Sequence, residues 1–64
     1  MQKTADALEF GDSVWFENIE HHVIERTPND TGTTNLWLSP TDGLGLDAKF
    51  SVPNNTIFNV INPF

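Results

Sequence analysis

His21 and His22 stand side by side, with Glu20 before them and Glu25 shortly after. Imidazole titrates near neutrality and can serve as a base or a metal ligand, so this is where the chain invites a chemical reading. Successive side chains of a strand point to opposite faces, however, so two adjacent imidazoles cannot chelate one ion from regular extended backbone. A bulge at Ile19-Glu20 would be needed to bring them together. Asp42 and Asp47 can meet across a hairpin, but carboxylates there also make turns and keep a chain soluble. There is no cysteine to supply a thiolate, and no nucleophile is flanked in sequence by a base and an orienting acid. Gly43 and Gly45 are not followed by the helix that a phosphate loop requires, and Asp30 and Asp42 lack the ligand spacing of a calcium loop. A chain of 64 residues also has little volume for both a core and an enclosed pocket. The expectation is a chain that is not an enzyme, with no metal and no cofactor. A small metal-dependent or enzymatic accessory subunit working through the His21-His22 pair is the alternative.

The two tryptophans are the better lead. In Ser13-Val14-Trp15-Phe16-Glu17, period-two alternation sends Val14 and Phe16 to one face and Trp15 to the other. In Asn35-Leu36-Trp37-Leu38-Ser39 it sends Leu36 and Leu38 inward and Trp37 outward. Large rigid aromatics rimmed by polar groups are favoured interface anchors. Trp15 and Trp37 are therefore the expected interaction surface, with a closed barrel bringing one near the other.

Charge narrows the partners. Nine acidic residues against three basic ones give a formal net charge of −6. Lys3, Arg26 and Lys49 are too few and too scattered to neutralise phosphates, so direct nucleic-acid binding is not expected. No basic amphipathic helix or long apolar run suggests a membrane, and Met1-Gln2-Lys3-Thr4-Ala5-Asp6-Ala7 has acid where a signal peptide needs an apolar stretch. The default location is cytoplasmic. An acidic module attracts basic partners and repels others. The leading function is thus a non-catalytic protein interaction or assembly module with an acidic surface, its partner a protein, a basic one being a fitting target, or another copy of the chain. A sharper alternative is an acidic inhibitor that mimics nucleic acid through Glu17, Glu20, Glu25, Asp30, Asp42 and Asp47.

Five short runs must position these residues: 13–17, 22–27, 35–39, 46–52 and 56–61. Each is rich in β-branched or aromatic types, and clusters of Pro, Gly, Asn and Asp separate them, which is the pattern of strands and turns. Leu46, Ala48, Phe50 and Val52 share one face in the fourth run, and Phe58 and Val60 point inward in the last because Asn59 would be costly there. The expected core is Val14, Phe16, Val23, Leu36, Leu38, Phe50, Val52, Phe58 and Val60. Leu8 and Phe10 join it ahead of the turn at Gly11-Asp12.

Strands so short, with no room for crossover helices, must be antiparallel neighbours, and curling into a barrel would remove both edges and an uncovered face. The order of a Gly11-Asp12 start, a hairpin loop at Asn29-Asp30-Thr31-Gly32, a second through Asp42-Gly43-Leu44-Gly45 and a last turn at Pro53-Asn54-Asn55 resembles an SH3-like barrel of the kind found among uncharacterised bacterial and phage proteins. The resemblance covers about residues 8 to 61. It implies an all-β fold, a small five-stranded antiparallel SH3-like barrel, with residues 1–7 a flexible arm or short helical turn and 8–64 the single domain. The acidic and aromatic ligand-groove series of signalling SH3 domains is not found in order, so recognition of proline-rich peptides is not implied.

Overall fold

The computed structural model describes residues 1–62, so the last two residues of the expected 8–64 domain lie outside the described residues. The chain is all-β, with six strands: β1 (Gln2–Thr4), β2 (Ser13–Phe16), β3 (Ile19–Pro28), β4 (Thr33–Pro40), β5 (Ala48–Pro53) and β6 (Ile57–Asn62). They form one sheet in the order β1-β6-β2-β3-β4-β5, and every neighbouring pair is antiparallel. A single 3₁₀ turn, Ala5–Ala7, follows β1.

This corrects the expected architecture twice over. The sheet has six strands, not five, and it is open, not closed into an SH3-like barrel, so the likeness to small barrels of bacterial and phage proteins does not hold. The sixth strand comes from the first few residues, which are too few to show a period. Gln2, Lys3 and Thr4 pair with Asn59, Phe58 and Ile57, and the terminal amine donates to the Val60 carbonyl at 3.1 Å.

Closure would require a ladder between β1 and β5, and these are the two edges. Asn54, in the turn after β5, instead links their ends through isolated bonds. Its N–H donates to the Gly32 carbonyl, its carbonyl accepts from Asp6 N–H, and its side-chain oxygen accepts from the buried Thr34 hydroxyl at 2.6 Å.

The two costs that closure was expected to remove are met by other means. Ala5 and Leu8, both fully buried, lie over the apolar face, and the 3₁₀ turn packs against β3 and β4. The edges are blunted because β1 has three residues while β5 carries Lys49 and ends at Pro53.

The apolar face holds Val14, Val23, Leu36, Leu38, Phe58 and Val60, with Phe16, Phe50 and Val52 half-buried at its margin. Phe16 and Phe50 stack with their centroids 4.9 Å apart. Two residues expected inside are not. Phe10 is 68% exposed beyond the turn, and Leu46 is 93% exposed because β5 starts only at Ala48.

Two backbone irregularities set the outer face. β2 and β3 are joined by the two-residue turn Glu17-Asn18, both residues at positive φ (53° and 64°), the twist that suits a tight hairpin. Farther along, Val23 pairs with Leu38 and Glu25 with Trp37, so Ile24 is the extra residue of a bulge. Alternation alone would turn Glu25 inward beside Val23. The bulge keeps its carboxylate on the solvent side.

Beneath the turn before β2 lies a buried charge. Asp12 is fully buried; its carboxylate accepts from Lys3 Nζ at 3.0 Å and from Glu9 N–H at 2.9 Å. Lys3 also reaches Glu9 at 3.5 Å. Among the described residues no helix is long and apolar enough to cross a membrane.

Candidate functional site

Trp15 lies in the middle of β2 opposite Glu20 of β3. On its other side Val14 pairs with Val60 of β6, so one step along the antiparallel ladder sets Trp15 beside Asn59. Asn59 in turn pairs with Gln2 of β1, whose amide donates to the Asn59 side-chain oxygen at 3.2 Å. The row Glu20, Trp15, Asn59, Gln2 thus crosses four strands on the face away from the core, because residues paired in register share a face.

Trp15 is 51% exposed, and its indole N–H has no hydrogen-bond partner among the described residues. With Asn18 and Asn59 it lines an open depression of about 440 Å³. Asn18 is held there by its left-handed backbone in the two-residue turn. Strands carry the aromatic and a tight turn carries one amide, so the depression is built on regular backbone.

Trp37 is placed differently. It sits between Glu25 of β3 and Lys49 of β5 and is half-buried. Its Nε1–H donates to Asp47 at 2.8 Å, and Lys49 Nζ lies 4.1 Å from the ring centroid. The hydrogen bond from Trp37, then one from Ser39, then the charge of Lys49 hold the Asp47 carboxyl below its ordinary range. The sheet does not bring the tryptophans together. They are two strands apart and out of register, with backbones on the order of 15 Å from one another.

The histidines face opposite ways. His21, opposite Val14, is buried, gives its Nδ1–H to the Ile19 carbonyl at 2.8 Å and meets Phe16 edge-on. His22, opposite Ser13, is exposed, with Nδ1 3.3 Å from the Ser13 hydroxyl. The register shift in β3 falls at Ile24, not at Ile19-Glu20, so it leaves the two imidazoles apart. The Ser13–His22 pair has the residue types of a nucleophile and its base, yet Ser13 is only 4% exposed, which leaves a substrate no approach to its hydroxyl. Among the described residues no three His, Asp or Glu side chains are grouped to hold a metal ion.

The six acidic residues of the inhibitor reading are spread over β3 and three connections. Glu17 is in the β2–β3 turn, Glu20 and Glu25 are on β3, Asp30 is in the next loop, and Asp42 and Asp47 flank the loop before β5. Asp42 accepts from Leu44 N–H at 2.9 Å, so it shapes its own turn.

Sequence reasoning passed over Asn18 and Asn59 as site residues. The signal for Asn59 was its place between the inward Phe58 and Val60. Asn18 followed Glu17 in a segment without a glycine to mark the tight turn. Compared with known proteins, the chain matches no family model, no curated protein and no solved structure.

Proposed function

We propose that the chain is a non-catalytic protein-interaction module whose contact surface is the outer face around Trp15. The observation that carries this reading is a half-exposed indole whose N–H has no partner among the described residues, seated between two positioned amides in an open depression on regular strands. Large aromatics dominate binding energy at interfaces, and a rigid platform avoids the ordering cost that a loop would incur. The formal charge of −6 supports a basic protein as partner, through faster encounter and through rejection of acidic surfaces. Trp37 contributes less to such a surface, since its N–H and one ring face are already occupied.

The test is affinity enrichment from native cells with wild type, Trp15→Ala and His22→Ala. Loss of a partner with Trp15→Ala alone is the expected result. Loss with His22→Ala alone would return attention to the imidazole.

A further inference from the structure

The chain contains two outward tryptophans in matching settings, and one of the settings is complete. Trp37 sits in the cross-strand row Glu25, Trp37, Lys49, with a carboxylate on one side and an ammonium over the ring on the other. Trp15 sits in the row Glu20, Trp15, Asn59, with a carboxylate on the same neighbouring strand and an amide where the other row has its lysine. Among the described residues each fixed cation is already engaged, the terminal amine with the Val60 carbonyl. Lys3 is engaged by Asp12 and Glu9, Arg26 donates through Nε to the Leu8 carbonyl, and Lys49 covers Trp37.

The geometry points to Trp15 as the receptor for an arginine side chain presented by a basic protein, the guanidinium stacking on the indole while its N–H groups reach Glu20 and the oxygen of Asn18. This rests on the reading of Trp15 as the contact surface and names the chemistry of its partner. An aromatic face attracts a cation through its quadrupole, and arginine is the commoner cation in that position. Its planar fork can stack and donate at once, whereas an ammonium is a compact, strongly hydrated charge. The acceptors suit a fork of donors. Cross-strand pairing keeps Glu20 beside the ring, the turn fixes Asn18, and Asn59 retains a second acceptor site beyond its bond from Gln2. Glu17, exposed in the same turn, adds negative charge without a competing cation close in sequence. Phosphate, nucleic acid and acidic peptides would meet repulsion here.

The probe is the peptide acetyl-Ser-Gly-Arg-Gly-Ser-amide, titrated into the full chain while the two indole N–H resonances are followed by NMR, with Trp37→Phe used to assign them. The controls are the same peptide with citrulline, which keeps the shape and removes the charge, and with lysine. A saturable shift of the Trp15 resonance is expected with the arginine peptide, a weaker one with lysine and none with citrulline. Glu20→Gln should weaken the arginine response by about two- to fivefold, as should raised salt. An equal response to citrulline overturns the cation assignment and leaves Trp15 standing as a docking surface for another chemistry. No response at Trp15, or one confined to Trp37, also overturns the assignment. The native-cell comparison of Trp15→Ala decides separately whether the underlying reading fails with it.

Discussion

Lys49 Nζ stands 4.1 Å above the Trp37 ring, while the same indole gives its N–H to Asp47. This arrangement ties the start of β5 to the middle of β4, just where the loop carrying the exposed Leu44 and Leu46 rejoins the sheet. Because the Asp47 carboxyl is held below its ordinary value of 3.8, chiefly by the Trp37 hydrogen bond, the linkage sign is fixed. The contribution is present above that value and is lost as pH falls through the folded one. Acid titration should therefore shift Trp37 fluorescence in a step below the ordinary aspartate range, ahead of or together with unfolding. Asp47→Asn should give the shifted emission already at neutral pH. A Trp37 signal indifferent to that substitution would show that the carboxylate does not hold the ring.

At the opposite end of the charge inventory, Asp12→Ala should cost about 1–3 kcal/mol, because it leaves Lys3 with only the exposed carboxylate of Glu9 and removes the acceptor of Glu9 N–H. A chain of 64 residues has little stability to lose, so thermal melting should show it largely unfolded. The hydrogen bond from Lys3 to Asp12 raises the lysine above its ordinary value of 10.5. That stabilisation is complete below 10.5 and is lost as pH climbs through the raised value, so wild type should lose stability in strong alkali more steeply than Lys3→Met. Equal alkaline profiles would contradict the pairing.

Glu17 occupies the left-handed region at φ 53°, where a long side chain is disfavoured and asparagine or glycine is at ease. Glu17→Asn should raise stability by about 0.5–1 kcal/mol, read as a higher denaturant midpoint with unchanged slope. The same substitution should weaken binding of a basic partner, since it removes a negative charge from the turn that carries Asn18. Strain kept at a site that gains from it is a known trade. A variant no more stable than wild type would show that the left-handed backbone at Glu17 carries no such strain.

The strands with clear alternation were legible from residue types alone. Val14 and Phe16, Leu36 and Leu38, and Phe58 and Val60 share the core face as period two requires. The same rule overran at Leu46, because alternation cannot say where a strand begins. Gly43, Leu44 and Gly45 keep the chain in a loop up to Asp47, and the leucine that fits the pattern stays in solvent. β1 was illegible for the opposite reason. Three residues carry no period, and what holds them is pairing with β6 near the far end of the chain. Barrel closure depends on whether two edges meet, which is a non-local property. Here Ala5 and Leu8 cover the face that closure would have enclosed. The outward direction of both tryptophans could be read from their neighbours, but which one is free depends on the next strand over. Lys49 lies beside Trp37 and Asn59 beside Trp15 only once the register is set.

As the proposed contact residue, Trp15 should contribute binding energy and little fold stability. The most direct measurement takes a protein recovered with the wild-type chain and compares its dissociation constants for wild type and Trp15→Ala, alongside their melting temperatures. Loss of at least about 2 kcal/mol, roughly a thirtyfold weaker complex, with melting within a few degrees of wild type, is the predicted result. Equal dissociation constants for the two folded proteins would contradict it.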